Sequence, residues 1–526
     1  MKEKKLHLGK ALMKTEKVSS LNAYEISAQD RQELRAAVSL QGLVNRYGAE
    51  IYIRHQYFSE LDNIWLSDLE QYYEKVNRIG DREHPTDFYR LFDDYKDYVD
   101  GFIVFDPDSD YEWNIATTLA ALEDSLPVTP AICEKLKSLG YDKKITDIRG
   151  RWKTKTAAYD YAISELLPKC ARFGVLSQDP RGDHRFQDYG IACGLFCFWL
   201  NLEDETDLDI QRKIFNSGHF SPQPTVFGYA PQGDDLLIEG APAGFGFIVS
   251  DWFGNASVCS SLPSAELPMQ RPGVPVDAED GKLYISIFFS DGDNIQFDQL
   301  GTRVLWNNMK KSNRSFPVGT TFAPMTAEIA PNIINWYYNN MHPEYDELIA
   351  GPSGWQFIYY GKYNREFLDG WLDKNDALLR RSGVRVANPW RFYPIEQKDD
   401  VVKYMEKTTC IDGALCEGIT PDTCNAYIRG GKPVLLAEGN LNGKKPGDLE
   451  HFLRVLYKKV EESGGKPQFA AINTIVAWID SKFSYIEDQM AKLPDDLKEK
   501  VVFLRPSDLV ATFKKYADDN GLSEHV

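Results

Sequence analysis

The sequence predicts a multidomain α/β protein, with small N-terminal α/β subdomains followed by a C-terminal (β/α)8 TIM-like barrel. Three observations predict it. Eight short apolar runs recur between Leu283 and Leu504, separated by helical stretches, and a barrel of eight βα units takes ~250 residues. Upstream, strands alternate with helices, which implies small parallel sheets. The 526 residues are enough for roughly two to four domains, each with its own core.

Residues 1–20 are polar. The N-terminus is basic but no apolar segment follows it, so no signal peptide is expected in this chain; an exported protein with its signal removed would read the same way. A first subdomain spans 20–150. It holds a helix from Asp30 to Asn45 with Leu34, Val38, Leu40 and Val44 on one face, strands at Glu50–Arg54 and Gly101–Phe105, a helix at Asn114–Leu122, and a short strand or turn at Pro127–Pro130. A second spans 151–275. It opens with a helix at Thr156–Cys170, and its strands fall at Phe173–Leu176, Leu195–Leu200, Thr225–Tyr229 and Phe245–Val249. Its proline-rich end, Leu262–Asp277, marks a linker. No chemistry stands out in this half. Gly240–Gly246 follows neither dinucleotide nor P-loop spacing and reads as a turn.

The barrel spans 276–520. Its runs are Leu283–Phe289, Pro317–Phe322, Glu347–Ala350 (or Gln356–Tyr359), Val384–Ala387, Gly413–Cys416, Pro433–Ala437, Phe469–Ile472 and Val501–Leu504. Helices are expected at Asn332–Asn340, Asn364–Arg380, Gln397–Thr408, Pro446–Ser463, Ser481–Leu493 and Pro506–Tyr516, the last capped by Ser507. The long first connection leaves an incomplete or distorted barrel as an alternative.

In such barrels the reacting groups stand where the strands end. Those positions offer Asp291, Asp293, Glu417 and Glu438 as acids. Asn294, Ser353, Asn388, Arg391, Asn440 and Asn473 could bind hydroxyls, and Trp390 gives a stacking surface. Two carboxylates across a barrel mouth suit glycosidic cleavage, one protonating the leaving oxygen and the other activating water or attacking the anomeric carbon. The same residues have plainer readings. Ser290–Asn294 is a good turn sequence, and its oxygens could hold Ca²⁺ or Mg²⁺. Glu417 and Glu438 follow buried runs, and Trp390 could simply pack. No histidine falls at a strand end, which argues against HExxH zinc hydrolases and Ser-His-Asp triads.

The composition narrows the partners. A net charge of −18 repels nucleic-acid phosphates and anionic membranes, so neither is expected as a partner. Aromatics at 13% suit sugar stacking and also large cores. The eight cysteines form no CxxC and read mainly as buried thiols, with Cys410–Cys416 or Cys416–Cys424 bridges as alternatives.

At Ser290–Asn294 and Gly351–Gly354 the chain resembles the bacterial GxGYxYP family, described as glycoside hydrolases. Leu40–Asn45, Asn114–Leu119, Ser250–Trp252, Phe289–Asn294, Ala350–Gly354 and Leu504–Pro506 carry the likeness, over about residues 20 to 516. The family implies small N-terminal subdomains before a barrel. The naming motif is degraded. Gly354 and Tyr359 match and Phe357 nearly does, but Gln356 replaces the second Gly and Tyr360 the Pro. If the motif shapes a substrate site, specificity differs here or activity is lost. The reading is therefore a hydrolase of an oligo- or polysaccharide substrate, working without a cofactor or bound metal. The alternatives are a non-catalytic carbohydrate-binding protein on a decayed barrel, and a divalent-metal hydrolase using Asp291 and Asp293.

Overall fold

A computed structural model describes residues 18–27, 30–55, 59–181, 186–291, 294–314, 316–351, 354–389, 398–416, 426–441, 448–476 and 482–522; at 55, 59–62, 398–399 and 438–440 it describes the backbone alone. The chain forms two compact units. One is Met1–Ser264 with Glu328–Ile333, and the other is Ala265–Ala327 with Ile334–Val526.

Three parallel sheets build the first unit. Strands β1 (Ser20–Ile26), β2 (Ile51–His55) and β3 (Lys75–Ile79) pair in the order β2-β1-β3. Strands β4 (Gly101–Val104), β5 (Ser125–Val128) and β6 (Lys144–Asp147) pair as β5-β4-β6. Strands β7 (Gly174–Ser177), β8 (Phe196–Phe198), β9 (Thr225–Gly228) and β10 (Gly246–Val249) pair as β10-β9-β7-β8. The helix expected from Asp30 is present at Arg31–Asn45, and the Asp30 carboxylate accepts the N–H groups of Gln32 and Glu33 at 2.7 and 3.2 Å. Strands β1, β3 and β6 escape the sequence reading: β1 carries Asn22 and Glu25 among its apolar residues, and β3 and β6 are exposed sheet edges. Lys-Val-Asn-Arg-Ile and Lys-Ile-Thr-Asp leave several residues exposed, so no apolar run marks them.

The second unit is the barrel. Its strands are β11 (Leu283–Ser290), β12 (Val318–Phe322), β13 (Asp346–Ala350), β14 (Val386–Ala387), β15 (Gly413–Cys416), β16 (Ala426–Arg429), β17 (Lys432–Asn440), β18 (Gln468–Ile475) and β19 (Val501–Phe503). Seven parallel strands close the ring in the order β11, β12, β13, β14, β15, β17, β18 and back to β11. The third strand is the run at Glu347, not Gln356–Tyr359. Strand β16 is an antiparallel partner of β17 that the sequence did not reveal.

The eighth run forms a strand but does not complete the ring between the seventh and the first. Strands β18 and β11 pair directly over eight positions. Strand β19 lies on the other side of β11, pairing only with Leu283–Ile285, while β12 takes Phe288 and Phe289. After Leu504 the chain turns into the helix Pro506–Asp519. Pro506 meets Gly319, Val510 meets Gly413, and Phe513 lies 5.2 Å from Phe469. Each contact is at the N-terminal end of a strand, so this helix plugs the bottom of the barrel. Ser507 does not cap it. Arg505 is the N-cap residue, without a side-chain hydrogen bond, and the Ser507 hydroxyl donates to Glu347 at 2.9 Å. Glu347 also meets Arg505 at 3.2 Å, and both side chains are buried. In barrels of this kind the sites stand at the opposite face, where the strands end.

The described cysteines are buried thiols, and Cys410 is not bridged to Cys416. Among the described residues no helix is long and apolar enough to cross a membrane.

Candidate active site

Strand β11 is buried along all eight residues and delivers the first candidate acid. Asp291, directly after it, has φ of 88°. Outside glycine this conformation is uncommon, though Asp tolerates it better than most residues. It costs about 1–3 kcal/mol and persists only where the surroundings enforce it, which is typical of functional turns. The Asn294 N–H closes the turn onto the Asp291 carbonyl at 3.3 Å. Asn294 is itself buried, and its Oδ1 meets no hydrogen-bond donor among the described residues.

Next to this turn, Asn473 on β18 donates from Nδ2 to the Ser290 hydroxyl at 3.3 Å. Its Oδ1 is a second buried acceptor with no described partner. Asp291, Asn294 and Asn473 thus gather where β11 and β18 end. Asn388 lies at the ends of β13, β14 and β15. Its N–H donates to the Ala350 carbonyl and its Nδ2 to the Leu415 carbonyl, both at 2.6 Å. It is fully buried, so this amide braces three strand ends. Of the other candidates, Asp293, Ser353, Trp390, Arg391 and Glu417 lie outside the described residues. Glu438 and Asn440 are described by backbone alone, at the end of β17.

One acid at this face escaped the sequence reading. Asp298 sits in the short helix Ile295–Gln299 and is 1% exposed. Its Oδ2 accepts the Ala323 N–H and the Thr326 hydroxyl, both at 3.1 Å, so it ties the first βα connection to the loop after β12. The Tyr337 hydroxyl donates to its carbonyl at 2.7 Å. Burial pushes the Asp298 carboxyl well above its ordinary range, against the pull of those two donors, and the nearby Asp291 charge pushes it further. The available sequence signal was its place four residues after Asn294, among apolar neighbours.

The degraded naming motif has a structural role. Gly354 has φ of 131°, and a Cβ there would collide with Asn375 Oδ1. That oxygen accepts the Trp355 N–H at 2.8 Å. Trp355, Gln356, Phe357, Ile358, Tyr359 and Tyr360 are all buried. The Tyr360 ring meets Trp371 at 5.5 Å and Tyr404 at 5.7 Å, both edge-on. The two departures from the motif therefore fall on packed side chains.

Family models match along the chain. They are described as the GxGYxYP_N first domain (20–97), the GxGYxYP_N second domain (99–170), the GxGYxYP third domain (173–261) and the "GxGYxYP putative glycoside hydrolase C-terminal domain" (281–514). The chain belongs to the GxGYxYP family. Its fold is similar to that of a "putative hydrolase from Bacteroides thetaiotaomicron VPI-5482", with TM-score 0.79 and 21% identity over 96% of each chain. A "probable Polysaccharide deacetylase from Pseudomonas aeruginosa PAO1" overlaps 44% of this chain and 91% of its own, at 14% identity and a TM-score of only 0.31. No curated protein matches the sequence.

Several segments that carry the family likeness are internal braces. Asn45 Nδ2 donates to the Ile51 carbonyl at 2.9 Å and to the Ser257 hydroxyl at 2.8 Å. Asn114 Nδ2 reaches the Gln178 carbonyl at 2.8 Å.

Proposed function

We propose that this GxGYxYP protein is a glycoside hydrolase acting on an oligo- or polysaccharide at the C-terminal face of its barrel. Asp291 or Asp293, together with Glu417 or Glu438, would supply the acid and the base or nucleophile. One carboxyl protonates the glycosidic oxygen as the bond breaks. The other activates water or attacks the anomeric carbon. The observation that carries this reading is the Asp291 turn: an acid in a strained backbone conformation at the tip of a buried strand, beside the buried amides Asn294 and Asn473. Asp298 acts on it as a positioning residue, since its buried carboxyl ties the start of the same connection to Ala323 and Thr326. The family description supports the reaction class. The buried motif supports an intact scaffold, because its departures alter packing rather than carboxylates.

The test is a set of single replacements, Asp291→Asn, Asp293→Asn, Glu417→Gln and Glu438→Gln, assayed on a glycan that the wild type cleaves. Removing an acid that acts in proton transfer lowers kcat by about 10²–10⁴-fold. Undiminished kcat in all four would sink the assignment. Activity lost to a chelator and regained with a divalent ion would move it to the metal-dependent reading.

A further inference from the structure

The sheet β10-β9-β7-β8 in the first unit has a topological switch point. Strand β7 leads to β8 on one side, and β9 leads to β10 on the other. In open parallel sheets, ligands bind in the crevice outside the carboxyl ends of the strands at such a point. A pocket of about 410 Å³ lies there, within the roughly 300–1,000 Å³ usual for small-molecule sites. Asp179 and Arg181 follow β7, Trp199 and Asn201 follow β8, and Pro231 follows β9.

The lining favours a neutral polyol. It carries four carboxylates, Asp110, Asp179, Asp204 and Asp207, against the two cations Lys155 and Arg181. That balance repels anions such as phosphate. Lys155 and Asp207 are paired at 2.6 Å, and Asp207 also accepts the Asn201 N–H at 2.8 Å, so this wall is fixed. Asn201 Oδ1 accepts the Glu203 N–H at 3.0 Å and a hydrogen bond from Gln232. This orients its amide and leaves Nδ2 to donate. Asp179 Oδ1 accepts the Arg181 N–H at 2.8 Å. The Trp199 N–H donates to the Tyr159 hydroxyl oxygen at 3.2 Å, and the half-buried Trp199 side chain lines the pocket. A flat ring beside fixed acceptors and an amide donor matches a sugar, which has an apolar face and a rim of hydroxyls that both donate and accept.

We propose that this pocket is a second saccharide site, in which a sugar ring lies against Trp199 and its hydroxyls bond to Asp179 and Asn201. The choice of a sugar over another polyol rests on the carbohydrate reading of the barrel; the pocket itself does not depend on Asp291. The site would hold polymer on the N-terminal unit.

The experiment is titration calorimetry and saturation-transfer NMR on the full chain. The ligands are cellotetraose, xylotetraose, maltotetraose and chitotriose, with inorganic phosphate as the anion control. At least one sugar is expected to bind the wild type at millimolar concentration. Trp199→Ala and Asp179→Asn should each weaken that binding about ten-fold or more, or remove one site from the stoichiometry. Should Trp199→Ala fail to fold, Asp179→Asn carries the test. Equal sugar binding in wild type and variants, no sugar bound by the wild type, or phosphate bound in preference would each overturn the proposal. Hydrolysis of the same sugars is scored separately on the wild type. A barrel without activity and a pocket without sugar are therefore distinct results.

Discussion

Replacing Asp298 with Ala should loosen the loop after β12 by an amount the structure sets. The Ala323 N–H loses its acceptor, Asp298 Oδ2 at 3.1 Å, while the Thr326 hydroxyl can still donate to the Ala323 carbonyl at 2.6 Å. One buried donor is orphaned, which costs about 1–3 kcal/mol. Amide exchange at Ala323 should then quicken about 5- to 150-fold. Asp298→Asn keeps an acceptor of the same shape and should cost little, but it cannot ionise. Burial holds the wild-type carboxyl well above its ordinary 3.8, so above 3.8 the folded chain keeps a proton that the unfolded chain has lost. The stability this contributes is complete below 3.8 and is lost as pH rises through the raised folded value. Relative to Asp298→Asn, wild-type stability should therefore fall with pH, by up to about 1.4 kcal/mol per unit. Native-state hydrogen exchange by mass spectrometry, run on the three proteins between about pH 5 and 8, reads both effects. Equal protection in all three, or wild-type stability rising with pH relative to Asp298→Asn, would refute the account of Asp298 as a brace that burial biases toward its protonated form.

Other outcomes follow from the same geometry. Arg505→Met strands the buried Glu347 carboxylate and should cost about 3–5 kcal/mol in urea unfolding. The double variant Glu347→Gln/Arg505→Met removes the charge but keeps an acceptor for the Ser507 N–H and hydroxyl, so it should recover most of that, and a double variant no better than the single would count against a pair at the barrel bottom. Gly354→Ala forces a Cβ into Asn375 Oδ1 at a φ of 131°. It should destabilise the barrel by about 1–3 kcal/mol and perturb near-ultraviolet circular dichroism from the buried Trp and Tyr block. An unchanged spectrum and midpoint would contradict the structural role of the motif.

The sequence was most legible where a strand is buried on both faces. Leu283–Ser290 and Gly413–Cys416 are apolar runs with no solvent-facing residues, and the turn residues after them are polar, so strands and candidate positions emerge together. It was least legible where tertiary contacts override local pattern. Val501–Phe503 reads as one more barrel strand, yet its place beside β11 is set by the following helix filling the barrel bottom. Ser507 reads as a helix cap, but the buried Glu347 takes its hydroxyl. Asn388 reads as a strand-end polar residue, and nothing in the sequence shows that its Nδ2 donates to the Leu415 carbonyl of the neighbouring strand. Asp298 looks like an ordinary helix residue until the chain folds back to place Ala323 and Thr326 against it. The Trp199 pocket gave no sign in the sequence, because its walls come from loops after three strands that are distant along the chain.

The central claim is that the barrel cleaves glycosidic bonds with its strand-end acids. Its most direct test is incubation of the protein with a broad panel of plant, host and microbial glycans in ¹⁸O-labelled water, with products read by mass spectrometry beside an Asp291→Asn/Asp293→Asn double-variant control. The account predicts shortened glycans carrying one ¹⁸O at each new reducing end, and none with the control. No labelled product from any glycan, or the same product from the control, would contradict it.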